Sequence, residues 1–192
     1  MPIYMWLTTI LLFTALAFFV FAQAASARNG AQSAADAAAL AAGQHARDEL
    51  LLGLEDAILA GDNDWLDWLD LSQDGFPTEG ATAAAAELAA QNESTLQGEA
   101  QLTDVNGDPG FQVDIVTDYT VGESIIPGTE DMTATAQATA VIQPRCEFDV
   151  NANPTKPVAL VCDGQLVDID PGNFNPADLP AASVMFSVYL AK

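Results

Sequence analysis

The strongest constraint on this chain is an apolar run, Ile3 to Ala22, that passes without a turn signal into a stretch of small residues. A helix rises 1.5 Å per residue, so about 20 apolar residues cross a hydrocarbon core of about 30 Å. Ile3 to Ala22 has that length. Thr8, Thr9 and Thr14 can return their hydroxyls to the backbone, so they do not interrupt a span. Pro2 suits a helix start, and Tyr4 and Trp6 suit a membrane interface. A transmembrane helix over about residues 3–22 is therefore expected.

Past the span, small residues recur every four positions: Ala27, Ala31, Ala35, Ala39 and Gly43, with Ala34, Ala38, Ala42 and Ala46 beside them. Residues four apart share a helix face, and adjacent rows of small side chains let a neighbouring helix approach closely. Alanine's high helix propensity is the simpler explanation. Gly30 and Gly43 favour close contact, since each costs about 1 kcal/mol in a helix interior. The expected helix-packing interface is Ala27, Ala31, Ala34, Ala35, Ala38, Ala39, Ala42 and Gly43. Arg28 and Asp36 are the only charges between the span and Arg47. They are candidates for pairing between subunits; a solvated face explains them equally well.

Cleavage of a signal peptide is the rival account of the span. Ala22-Gln-Ala24 and Ala25-Ser-Ala27 both have the A-x-A form. Against cleavage, a basic leading region is missing, the apolar run exceeds the usual length, and the helical pattern runs through both sites. One arginine after the span is weak evidence for a cytoplasmic C-terminal side. The cysteines and the acidic bulk favour an outside domain.

The acidity is extreme: 27 acidic residues against 5 basic ones give a net charge of -22, and only Asp36 of the acids precedes Asp48. Such a surface repels phosphate backbones, so nucleic acid is excluded as a partner. It also repels anionic membrane surfaces. Solubility by self-repulsion is the plain explanation. Cys146 and Cys162 are the only cysteines. Outside the cytoplasm they are expected to form a disulfide, worth about 3 kcal/mol for a loop of that length.

Leu50, Leu51, Leu54, Ile58 and Leu59 continue the long helix until Gly61-Asp-Asn-Asp64 breaks it. Trp65 to Leu69 reads as a short amphipathic helix packed on the domain, Ser72 to Pro77 as a turn, Thr82 to Gln91 as another helix, and Asn92 to Gly98 as its exit. The period then changes. Glu99 to Val105 and Phe111 to Val121 are strand-like, joined by Asn106-Gly-Asp-Pro-Gly110, a hairpin signal. Met132 to Ile142 follows a Pro127-Gly128 turn and alternates Thr with Ala. Short strands are expected at Phe148, Val158 to Cys162 and Gln165 to Ile169, and a closing strand at Val184 to Leu190. The fold class is α+β: a long N-terminal transmembrane helix extended outside the membrane, then short helices and a mostly antiparallel sheet. Residues 1–60 form the anchor and packing helix, and residues 61–192 the acidic domain.

Signatures of chemistry are lacking. Asp104-Val-Asn-Gly-Asp108 resembles the start of a calcium loop, but the twelfth position is Ile115 where a carboxylate is needed. The nucleophile-elbow, zincin and phosphate-loop patterns do not occur. The single histidine, His45, lies on the packing helix. No catalytic residue, cofactor or metal is expected, and the chain is not expected to be an enzyme.

The run Arg28-Asn-Gly-Ala-Gln-Ser-Ala-Ala-Asp-Ala-Ala-Ala-Leu-Ala-Ala42, placed directly after an N-terminal membrane helix, resembles the TadE/TadG-like family of the tight-adherence (Tad/Flp) pilus system. Pro2-Ile-Tyr4 is similar to the membrane entry of its actinobacterial TadG-related members. Similar too are Ala138 to Cys146, Leu160-Val-Cys-Asp-Gly164, Ile169-Asp-Pro171 and Phe186 to Ala191. The resemblance implies a pseudopilin or minor-pilin component, inserted in the membrane and then held in, or at the base of, a surface filament. Its partners would be other pilus or pseudopilin subunits, or itself, through the N-terminal helix. The expected location is the cell membrane, single-pass, with the C-terminal domain extracytoplasmic. The alternative is an anchored extracytoplasmic domain that binds a cation or cell-wall ligand outside any pilus.

Overall fold

The computed structural model describes residues 2–71, 75–120 and 131–191. The expected turn at Pro127-Gly128, and parts of those at Ser72 to Pro77 and of the strand ending at Val121, fall outside these residues. Helix α1 runs unbroken from Pro2 to Ala60, about 90 Å at 1.5 Å per residue. The threonines keep it continuous: Thr8, Thr9 and Thr14 each donate a hydroxyl hydrogen bond to a carbonyl three or four residues back. Gly61 ends it in the left-handed region at φ 70°. There Gly61 N donates to Ile58 O and Asp62 N to Ala57 O, each at 3.0 Å, the paired bonds that satisfy a helix's last carbonyls.

A 3-10 turn, Trp65–Trp68, and helix α2, Ala81–Gln91, follow. Both tryptophans pack inward. Trp65 is buried and donates its indole N–H to Pro154 O at 2.9 Å, and Trp68 lies against Gly53 of α1. Helix α2 buries Ala81, Ala85 and Ala89, one face at four-residue spacing, and packs on α1.

Among the described residues eight strands follow: β1 (Ser94–Leu96), β2 (Gln101–Val105), β3 (Asp108–Thr120), β4 (Thr133–Pro144), β5 (Cys146–Glu147), β6 (Val158–Cys162), β7 (Gln165–Ile169) and β8 (Phe186–Leu190). A single helical turn, α3 (Ala182–Met185), precedes β8. All pairings are antiparallel. The five-stranded sheet has the order β1-β3-β4-β8, and β2 pairs with the other end of the long β3. Strands β5-β6-β7 make a second, smaller sheet. The β2–β3 hairpin turns at Asn106-Gly107, both at positive φ, with Val105 opposite Asp108. Asp104 accepts from Gly107 N at 3.1 Å, so the calcium-like stretch is a hairpin turn.

One face of the five-stranded sheet carries Phe111, Val113 and Ile115 on β3 and Ala134, Ala138, Ala140 and Ile142 on β4, all buried. Helix α1 lies across this face, against β3, β4 and β8. The opposite face is largely polar, with Asp114 bonded to Gln137 and Asp118 to Thr95, although Val141 on it is buried. The protein is therefore mixed α+β: a long apolar helix, short helices, then antiparallel sheets. Residues 27–58 of α1 share a core with the sheet, so packing draws its line within the helix, near Ala27.

Candidate assembly surface

Helix α1 presents two unlike surfaces. From Ile3 to Phe21 no other described element covers it: Ile3, Trp6, Leu11, Leu12, Phe13, Phe18 and Phe21 are all exposed. An 18-residue window there has a mean hydropathy of 2.2, with none of it buried. A helix apolar on every side needs lipid or other helices around it. Length and hydropathy both fit a membrane span.

From Ala27 the same helix is docked. Ala27, Ala31, Ala34, Ala35, Ala38, Ala39, Ala42 and Gly43, the residues expected to meet a neighbouring helix, are all buried. Their neighbours are this chain's own sheet and α2. At Gly43 an added Cβ would sit 2.8 Å from Val188 Cγ1 and 3.5 Å from Ala140 Cβ, so glycine is needed for the helix to come this near β4 and β8. The close-approach reading of the small rows thus describes a contact made within the chain. The signal for that partner was present in β4, where Ala134, Ala136, Ala138 and Ala140 alternate with polar residues. An alanine-striped strand complements an alanine-striped helix and brings their axes together.

What remains open on this part of α1 is its outer side: Asn29, Ser33 and Gln44 are exposed, and Ala37, Leu40 and Ala41 partly so. Arg28 is exposed and, among the described residues, makes no ion pair or hydrogen bond. Asp36 is half-buried. It accepts from Gln32 Nε2 at 2.8 Å, and the same Nε2 lies 3.4 Å from Gln137 O. The structure sets Arg28 and Asp36 two turns apart on α1, about 80° apart around its axis and out of contact.

Cys146 and Cys162 are joined by a disulfide and lie directly opposite each other in the β5–β6 ladder, with Cα atoms 4.0 Å apart. The Arg145 guanidinium pairs with Asp163 beside them and donates to Ser183 O at 3.2 Å. Arg145 N also donates to Met185 O at 2.8 Å. The small sheet is thereby pinned to the end of β4 and the start of β8. Among the described residues no group of three or more His, Cys, Asp and Glu side chains is placed to hold a metal ion. His45 is used in packing, with its ring against Gly80 at the start of α2.

Residues 1–45 match the model of the family described as Putative Flp pilus-assembly TadE/G-like. The match ends within the docked part of α1 and leaves the rest of the 192 residues uncovered. No curated protein and no solved structure matches the chain. The matched segment and the bare apolar helix together fit membrane anchoring and a structural role in pilus assembly.

Proposed function

We propose that this chain is a single-pass pilus-assembly component of pseudopilin or minor-pilin type, akin to TadG-related proteins, with its acidic domain held outside the cytoplasm. One observation carries the reading: α1 is a single helix whose bare apolar part and first docked turns coincide with the family match. The Cys146–Cys162 disulfide supports an extracytoplasmic domain, since such bonds persist in oxidising compartments. Partners are further copies or other pilus subunits. They meet residues 3–22, and the outer side of α1 at Ser33, Ala37 and Ala41, because the rows from Ala27 to Gly43 are filled by the chain's own sheet and α2. Those rows instead hold the domain rigidly on its anchor.

The test uses full-length chain carrying Ala15→Cys, expressed in cells that assemble the filament. Recovery of the chain in sheared surface material, cross-linked through position 15 to itself or to another subunit, is the expected result. A chain confined to the membrane fraction, with no cross-linked product in any growth condition, would sink the proposal.

A further inference from the structure

We infer that a second copy of this chain, parallel to the first and displaced by two helical turns, docks its Arg28 guanidinium against the Asp36 carboxylate of the first. The inference rests on the assembly reading above and adds the contact and its geometry. Arg28, Gln32 and Asp36 stand at i, i+4 and i+8, a drift of about 40° per step, so cation and carboxylate lie about 80° apart around α1 and can face two different neighbours. They are about 12 Å apart along the axis, with Gln32 between them, too far to meet within one chain.

Each group is left open for a partner. Arg47 and Arg145 have carboxylates in Asp48 and Asp163, whereas Arg28 has none among the described residues. Gln32 commits Asp36 Oδ1. Beside the carboxylate lies a groove of about 230 Å³, lined by Gln32, Asp36, Gln137, Thr139, Leu190 and Ala191. An arginine fork suits such a carboxylate, and its charge-assisted bonds are stronger than neutral ones. Copies of a chain with net charge -22 repel one another, so an unpaired cation at the contact offsets part of that repulsion.

The offset dictates the symmetry. Two parallel copies in register would set Arg28 beside Arg28 and Asp36 beside Asp36. An antiparallel pair would satisfy both charges, but would put the two apolar segments at opposite ends, where one membrane cannot hold them. A parallel shift of eight residues pairs them. Each copy then offers Asp36 to one neighbour and Arg28 to the next, a head-to-tail contact that propagates as an open row or helix. The same shift lifts one apolar segment about 12 Å past the other, so the contact belongs to copies leaving the membrane and not to a resting pair.

The experiment co-expresses full-length Arg28→Cys and Asp36→Cys chains in filament-assembling cells. Cys146 and Cys162 are already paired, so they do not compete. The expected result is a mixed 28–36 disulfide in sheared surface material, in clear excess over 28–28 and 36–36 products. Dominance of either symmetric product overturns the inference. So does absence of the mixed product where Ala15→Cys still cross-links, and that outcome leaves the assembly reading standing. Loss of the Ala15→Cys product as well defeats both. In a second arm, Arg28→Asp lowers the amount of surface material about fivefold, the upper range for an exposed pair. Combining it with Asp36→Arg restores the material, and failure of the swap to rescue counts against the pairing.

Discussion

The two parts of α1 have nearly the same backbone and opposite surfaces. Residues 3–21 carry mostly large apolar side chains and pack on no other element among the described residues, while residues 27–46 carry mainly small ones and are half enclosed. Size sorts the two environments. Leucine and phenylalanine fill irregular lipid space without a fitted partner. Alanine and glycine contribute little apolar area each, so they stabilise only where another element comes close enough for dense packing. Side-chain volume marks the change only as far as Ala46; beyond it Leu50, Leu54 and Ile58 bury large side chains in the same core.

Substitutions can break this division from either side. Leu12→Arg combined with Leu16→Arg places two charges in the span, at about 3 kcal/mol each near a bilayer centre. The chain should move from the membrane to the soluble fraction, while the domain's thermal melt stays unchanged; retention in membranes would contradict the span. On the docked side, Cys146→Ser with Cys162→Ser should lower domain stability by about 3 kcal/mol, read from denaturant midpoints, with membrane partition unaffected. A smaller loss, about 2 kcal/mol, is expected for Ala38→Leu, which over-packs a residue with no exposed surface. Its neighbour sharpens the contrast most finely. Ala37 is partly exposed, and Ala37→Leu should change stability by less than about 0.5 kcal/mol. Equal melts for the two leucine variants would mean that α1 does not lie on the sheet as described.

Much of this architecture can be read directly from residues. Gly61 as the stop of α1, the Asn106-Gly107 hairpin and strands β3, β4, β6 and β7 follow from φ preference and alternation. The family likeness read from Arg28 to Ala42 lies within the matched residues 1–45. Other elements are less legible for specific reasons. Strand β1 has three residues, too few for alternation to register, and lies within the expected helix exit, Asn92 to Gly98. Val184 and Met185 look strand-like but complete one helical turn before β8, whose first residue is Phe186. Phe148, expected in a strand, follows the two-residue β5 instead. The small-residue rows are the most instructive case. Periodicity reports which side chains share a face and how near a neighbour can come; it does not report whether the neighbour belongs to the same chain. The partner strand, Ala134 to Ala140, lies about a hundred residues beyond Ala27 to Gly43, outside the reach of any local pattern.

The absence of any break in α1 between Ala22 and Ala27 has a mechanical consequence. A shaft without a joint passes every rotation of its buried end to its load. Ala60 stands about 57 Å beyond Ala22 along the axis, so the ordinary 20° tilt of a transmembrane helix swings that end sideways by about 20 Å. If residues 3–22 cross a bilayer, as proposed above, the lean of that segment sets where the acidic domain sits, and straightening or tilting it moves the domain as a lever moves its weight.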